Sequence, residues 1–341
     1  MDRQKWPFVS IIIPVFNEER HIGRCLKDVF SQDYPKEKME VLVMDGMSRD
    51  GTRQVAQRFP VRVLDNPKHQ RVFALNSGIK NAKGEIIIRI DARTLIPENY
   101  VRKCVETLLE TGADNVGGVQ KPIFGGDIMQ KAIGLASCHP FGVGGAEFRL
   151  GIKSGYVDSA YLGCFKKEVF DKVGLFDEEA PIMTEDADIN WRIKKSGGKV
   201  YLNKDIIAHY IPRANLLALW RLYFRYGGAR AGFFLKHKVL RWRQVLPTIY
   251  LFALLFSVIA LTGNYITNYA VNYIILFFPA VLAGLYLTAD LFTSIVIALR
   301  QKDVRFFLPL VLVFPCMHFS WAAGFVWRMM QRPRPGTYWG H

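Results

Sequence analysis

The sequence predicts an α/β protein: a mostly parallel sheet with helices on both faces, then a basic amphipathic helix and apolar transmembrane segments. Three observations predict it. Between residues 9 and 108, short apolar runs alternate with stretches whose apolar residues recur at helical spacing. Two of those runs lead directly into an aspartate, Asp45 and Asp91. From Leu246 onward, long apolar runs replace the mixed pattern.

The elements follow in order. Val9–Val15 is an apolar run of the kind a buried strand needs, and Ile22, Leu26, Val29 and Phe30 then recur at helical spacing. Residues 41–44 form a second strand and residues 61–64 a third. A helix pattern runs through Val72, Leu75, Ile79 and Ala82, and residues 85–90 form a fourth strand. Pro97 is expected to open the next helix, a favoured first-turn position, with Val101, Val105 and Leu108 on one face. The β-α-β-α order implies a parallel sheet whose ligands bind beyond the carboxyl ends of the strands, where Asp45 and Asp91 stand. Residues 117–155 are glycine-rich and read as loops and short helices over the site.

Residues 206–246 hold eight Arg or Lys and no Asp or Glu, interleaved with Trp220, Tyr223, Phe224, Tyr226, Phe233, Phe234 and Trp242. A basic aromatic helix beside a membrane span reads as interfacial, among lipid headgroups. The expected division is therefore a catalytic domain over residues 1–212 and an interfacial helix region over 213–245. Transmembrane segments follow near 246–263, 271–299 and 306–327, and then a tail over 331–341. Residues 264–270 carry no charge and are expected outside, whereas the basic loop 300–305 is expected in the cytoplasm. The tail carries Arg332 and Arg334, so one segment is expected to be a re-entrant hairpin, best the last, which Pro309 and Pro315 interrupt.

The net charge of +15 calls for an anionic partner, and the apolar C-terminal third excludes nucleic acid in favour of anionic lipid and a nucleoside diphosphate. The five cysteines are scattered, without a C-x-x-C pair, which argues for neither a zinc site nor a disulfide framework. The N-terminal apolar stretch is short, contains Pro14 and runs into Asn17-Glu18-Glu19, unlike a signal peptide.

Several motifs carry a resemblance. They are Val9-Ser10-Ile11-Ile12-Ile13-Pro14-Val15-Phe16-Asn17-Glu18, Met44-Asp45-Gly46-Met47-Ser48-Arg49-Asp50-Gly51-Thr52, Ala74-Leu75-Asn76-Ser77-Gly78, Asp91-Ala92-Arg93, Val173-Gly174-Leu175-Phe176-Asp177 and Thr184-Glu185-Asp186. In this order they resemble glycosyltransferase family 2, with its Rossmann-like GT-A fold, and most closely its membrane-attached enzymes of exopolysaccharide assembly. The resemblance implies an inverting transfer from a nucleotide-diphosphate sugar, best a UDP-sugar, to a hydroxyl of a lipid-linked saccharide at the cytoplasmic face of a multi-pass cell-membrane protein. A polyprenyl-phosphate sugar synthase and a catalytically inactive membrane scaffold are the alternative readings.

By that resemblance, Asp186 is the general base and Glu185 supports it; a carboxylate at a helix N-terminus is also stabilised by the helix dipole alone. Asp45 holds the uracil or ribose, though such an aspartate can also simply close its own turn. Pro14, Asn17 and Glu18 belong to the donor site. Gly163 lies where the acceptor groove is expected, although a glycine there can equally serve a tight turn. Asp91 meets the metal-diphosphate. The family's D-x-D pair is here Asp91-Ala92-Arg93, so a basic residue replaces one carboxylate, and Arg93 is suited to phosphate. A divalent cation, Mn²⁺ or Mg²⁺, is expected at Asp91 with His209 as a second ligand, and a packing role for His209 stands equally open. The Q-x-x-R-W motif of processive relatives reads Leu222-Tyr223-Phe224-Arg225-Tyr226. That leaves Arg225 to touch diphosphate or a lipid headgroup, and argues for one sugar per encounter.

Overall fold

The computed structural model describes residues 6–179, 183–240, 245–253, 255, 256, 259 and 273–331. The chain forms two compact units. One holds the chain up to Ile123 together with Ala146–Ile211; the other holds Phe124–Gly145 and the chain from Pro212 onward.

The first unit is an eight-stranded sheet. In chain order its strands are β1 (Val9–Val15), β2 (Met39–Asp45), β3 (Arg62–Asp65), β4 (Ile86–Arg89), β5 (Asn115–Pro122), β6 (Gly155–Tyr156), β7 (Tyr161–Lys166) and β8 (Val200–Tyr210). They lie in the order β3-β2-β1-β4-β7-β5-β8-β6. Strands β1 to β4 are mutually parallel, β5 and β8 are parallel to each other, and β7 runs antiparallel between β4 and β5. The mixed, mostly parallel sheet is the expected α/β architecture. Its helices are α1 (Glu19–Phe30), α2 (Thr52–Ala56), α3 (Arg71–Asn81) and α4 (Tyr100–Thr111), then α7 (Glu147–Leu150), α8 (Val169–Val173) and α9 (Glu185–Lys195).

Successive side chains of a strand point to opposite faces, and both faces of β1 are covered, so every residue but Ser10 is apolar. Val9, Ile11, Ile13 and Val15 pack on one face with Ile22, Leu26 and Val29 of α1 and Val101, Val105 and Leu108 of α4. Ile12 points to the other face, with Leu75 and Ile79 of α3 and Ile189 and Ile193 of α9. Gly78 lets α3 approach β1, because a Cβ there would stand 2.6 Å from the Ile12 side chain.

Two local expectations are corrected. Pro97 does not open α4; its carbonyl accepts from Tyr100 N at 3.0 Å, and the helix begins only at Tyr100. Gly117 and Gly118 lie not in a loop but inside β5, where the register shifts against both neighbouring strands. A Cβ on Gly118 would fall 2.3 Å from the Ile206 carbonyl, so glycine there permits a bulged close approach rather than marking a turn.

The second unit begins with α5 (Ile128–Ala136) and α6 (Pro140–Val143). It continues through α10 (Leu216–His237), α11 (Tyr273–Arg300) and α12 (Phe307–Met330). Asn215 caps α10, its side-chain oxygen accepting from Ala218 N at 2.9 Å. Two described helices, Ala280–Arg300 and Val304–Met330, are long and apolar enough to cross a membrane, with mean hydropathies of 1.9 and 1.7. Of the first expected span, residues 245–253 are helical, and most of the rest lies outside the described residues, as do residues 264–270, 241–244 and 332–341. The expected hairpin in the last segment does not form, because α12 runs unbroken. Pro309 falls in its first turn, where the N–H has no acceptor inside the helix, and only Pro315 interrupts the interior ladder.

The basic helix α10 presents Leu217, Trp220, Arg221 and Arg225 outward, while Leu219, Tyr223, Gly227 and Ala231 are buried. It crosses α12 backbone to backbone. A Cβ on Gly227 would lie 1.9 Å from the Trp321 carbonyl oxygen, and one on Gly324 would lie 1.9 Å from that of Phe224. Small residues are what let two helices meet this closely. At Gly228 the nearest atom would be 3.5 Å away, an ordinary contact. Gly227→Ala is therefore expected to destabilise the second unit by about 1–3 kcal/mol through overpacking. Gly228→Ala should instead be neutral or stabilise it by up to about 1 kcal/mol, because alanine is the better helix former. Thermal melts of the two variants in detergent read the contrast, and equal melting points would contradict the crossing.

Candidate active site

The carboxyl edge of the parallel strands carries the site. Each of the first three strand-to-helix turns holds a non-glycine residue in the left-handed region: Asn17 (φ 54), Met47 (φ 61) and His69 (φ 59). Such backbones persist only where neighbours hold them. Here Asn17 N donates to Ser48 Oγ at 2.9 Å, its Oδ1 accepts from Arg49 N at 2.9 Å, and Glu18 N donates to Thr52 Oγ1 at 2.7 Å. Asn17 thus ties the β1–α1 turn to the β2–α2 turn. Pro14 sits in β1, in register with Met44.

Asp45 ends β2 and is buried, 1% exposed. Its Oδ1 accepts from Ser48 N at 3.0 Å and Ser48 Oγ at 2.6 Å, and Arg53 Nη1 stands 3.5 Å from Oδ2. The carboxylate closes its own turn while standing at the strand end.

Beyond β4, five charged side chains interlock. Arg89, 3% exposed, donates from Nε to Asp91 Oδ1 at 2.9 Å and from Nη2 to Asp91 Oδ2 at 3.1 Å. Its remaining terminal nitrogen, Nη1, reaches Asp186 Oδ1 at 2.6 Å. Arg71, at the start of α3, lies 3.4 Å from Asp91 Oδ2 through Nη1 and pairs closely with Glu185 through Nη2. Glu185 and Asp186 open α9, whose N-terminal dipole also favours their charge.

The three carboxyls respond differently. Burial works against the charge of Asp91, but Arg89 and then Arg71 outweigh it and hold this carboxyl below the usual range. Glu185 is likewise held low, with Arg71 and then Arg89 overcoming burial. Asp186 is pushed up to about 6, by burial first and then by the neighbouring Glu185 charge, against the pull of Arg89. A carboxylate near 6 that is ionised at neutral pH is well matched to taking a proton from a hydroxyl.

The remaining expected residues fall in different places. Arg93 reaches Glu18 from Nε at 2.8 and 2.9 Å, and His21 Nδ1 lies 2.9 Å from the same carboxylate. Gly163 is buried in β7 with φ +92, and a Cβ there would meet the Phe165 ring at 2.3 Å, so its conformation and packing by themselves require glycine. His209 lies near the end of β8 and exchanges backbone hydrogen bonds of 3.0 and 2.8 Å with Leu95, in the segment that follows Asp91. Burial, with Lys121 second, keeps its ring toward the neutral form. Among the described residues, no three His, Cys, Asp or Glu side chains converge as a metal site. Arg225 belongs to the second unit, on the exposed face of α10.

Sequence reasoning missed Arg89 and Arg71. Arg89 left a signal: a single charge in the run Ile86-Ile87-Ile88-Arg89-Ile90 of a fully buried strand needs partners. Arg71 left none, because an arginine at a helix start is ordinary.

The model for Glycosyl transferase family 2 matches residues 10–142, and the chain belongs to this family of glycosyltransferases. It is 33% identical over 327 residues to the succinoglycan biosynthesis protein ExoA of Rhizobium meliloti (strain 1021), covering 93% of each chain. It is also 28% identical over 264 residues to a dolichyl N-acetyl-α-D-glucosaminyl phosphate 3-β-D-2,3-diacetamido-2,3-dideoxy-β-D-glucuronosyltransferase of Methanococcus voltae, covering 74% of this chain and 81% of that one. The fold matches that of the mannosyltransferase PcManGT of Pyrobaculum calidifontis, solved with GDP-Man and Mn²⁺. That match has a TM-score of 0.60 at 20% identity and covers 96% of this chain and 89% of the other.

The direction of the Asp186 shift sets a pH dependence. With Asp186 as the expected general base, which must be ionised to act, turnover is expected to fall by about tenfold per pH unit below about 6 and to level off above it. A profile of kcat/KM from pH 5 to 8 checks this, and an acid limb near pH 4 would assign the base elsewhere.

Proposed function

We propose that the chain is an inverting glycosyltransferase that moves a sugar from a nucleotide-diphosphate donor, a UDP-sugar, to a hydroxyl of a lipid-linked saccharide during glycan assembly. The observation that carries this reading is Asp186: one oxygen is fixed on Arg89, and Oδ2 has no hydrogen-bond partner among the described residues. Its raised proton affinity suits attack by a hydroxyl better than by a bare phosphate, which needs no base; this favours a saccharide acceptor over a polyprenyl phosphate. Relatives point the same way, one named for succinoglycan biosynthesis and one for transfer to a dolichyl-linked sugar.

In this mechanism Asp186 takes the acceptor proton as the hydroxyl attacks the anomeric carbon. Asp45, Pro14, Asn17 and Glu18 line the donor side, Glu185 supports the first turn of α9, and Arg93 exchanges Glu18 for the departing diphosphate. Gly163 shapes the acceptor side, and Arg225 meets a phosphate or headgroup at the membrane. The residues also fit a divalent cation. A carboxylate offers about four lone-pair sites, the arginines occupy only some of those on Asp91, and its side chain is 24% exposed. Asp91, with His209 as second ligand, would hold Mn²⁺ or Mg²⁺, which supplies positive charge to the leaving diphosphate. The apolar helices and the Leu217, Trp220, Arg221 and Arg225 face anchor the chain at a membrane. The basic Arg300, Lys302 and Arg305 between α11 and α12 support a reading in which that connection and the catalytic domain face the cytoplasm of a multi-pass protein.

The test is turnover of UDP-glucose, UDP-GlcNAc and GDP-mannose with polyprenyl-diphosphate-linked saccharides. Asp186→Asn is expected to cut turnover by about 10²–10⁴-fold, while UDP affinity by calorimetry stays within threefold or so of wild type. Turnover within a few-fold of wild type would remove Asp186 as base. Exhaustive chelation should silence the wild type, with Mn²⁺ or Mg²⁺ restoring it. His209→Ala should raise the metal concentration needed by about tenfold or more. Full activity in chelator would leave neutralisation to the arginines, and an unchanged metal requirement in the variant would free His209 from the role.

A further inference from the structure

We infer that Arg89 is a positioning residue of the transfer reaction, one buried guanidinium that sets where the acceptor-side base Asp186 stands relative to the donor-side carboxylate Asp91. The inference rests on the reading of Asp186 as base. Arg89 uses all three nitrogens of its fork. Nε and Nη2 grip both oxygens of Asp91 at 2.9 and 3.1 Å, and Nη1 holds one oxygen of Asp186 at 2.6 Å. Two carboxylates from separate parts of the chain, the segment just past β4 and the first turn of α9, are thereby fixed to a single rigid plane.

The support behind that plane is equally fixed. Arg89 lies in register with Ile12 of β1, and the residue before it, Ile88, pairs with Cys164 of β7, so its backbone is held within the sheet. Arg71 closes the other side, bridging Asp91 and Glu185, and Glu185 Oε1 stands 3.8 Å from Arg89 Nη2. Asp91 and Glu185 each contact both guanidiniums, whereas among the described residues Asp186 is in direct contact with Arg89 only, through one oxygen. The asymmetry leaves Asp186 Oδ2 as the atom able to receive a proton, at a place that Arg89 dictates. A lysine would keep the charge but, as a point donor on a flexible stem, could not grip Asp91 with two parallel bonds while reaching Asp186.

The experiment compares Arg89→Lys with Asp186→Asn in the full chain, using the nucleotide sugar and lipid-linked acceptor that wild type turns over. Arg89→Lys is expected to lower kcat by about 10²-fold, the cost of a misplaced reacting group, while the donor KM stays within about threefold of wild type. A kcat within about threefold of wild type, or a loss carried by KM, overturns the inference. If Asp186→Asn itself remains active, the base reading has failed; if that variant is dead and Arg89→Lys is not, only the role of Arg89 has. Should Arg89→Lys not fold, a double-mutant cycle of Arg89→Gln and Asp186→Asn, read by melting temperature, decides. A markedly smaller loss from Arg89→Gln once Asp186→Asn is already in place supports the pairing, and strictly additive losses overturn it.

Discussion

The structure of the site depends on one constraint: Arg89 is a charge inside a sheet. A buried guanidinium without partners is too costly to keep, and removing one member of a buried ion pair costs about 3–5 kcal/mol. The chain meets that demand by bringing Asp91 and the first turn of α9 to the same place. The carboxylates that answer the arginine are then the groups left at the mouth of the site. The fold's charge balance here and the proposed chemistry therefore draw on the same five side chains, Arg71, Arg89, Asp91, Glu185 and Asp186.

Two guanidiniums among three carboxylates leave one negative charge over, and its distribution is uneven. Asp91 and Glu185, each facing both arginines, are held in the charged form. Asp186, buried beside the Glu185 charge and in ion-pair contact with Arg89 but not Arg71 among the described residues, carries the raised proton affinity. The difference between the carboxylates follows from burial, which raises all three, set against how closely the two arginines approach each one. Arg93, third in Asp91-Ala92-Arg93, is parked on Glu18 with its guanidinium largely exposed.

The second unit is governed by backbone proximity. Where lipid replaces water, helices gain little by burying apolar side chains against each other, and close packing through glycine takes over. The Gly227 and Gly324 crossing makes α10 part of a helical body while its Leu217, Trp220, Arg221 and Arg225 face stays outward. Segment Phe124–Gly145 belongs to this body too, with Ala132, Ile133 and Ala136 packed among Leu310, Val313, Phe314 and Met317.

The sequence by itself determined the first four strands of the sheet and the helices between them, the places of Asp45 and Asp91 at or just past strand ends, and the helix that begins after Thr184, because these are local matters of period and apolarity. It also carried the family, through motifs whose order along the chain is itself the information. Only the tertiary structure decided which charges meet. Arg71, Arg89 and Asp186 come from distant parts of the chain, and nothing in local spacing says that one guanidinium holds two carboxylates. Gly117 and Gly118 misled for the same reason: a glycine demanded by a neighbouring strand looks, in sequence, like one demanded by a turn. The apolar segments announced membrane helices, but whether Pro315 would break the last one depended on the helices packed around it, and that too is decided only in three dimensions.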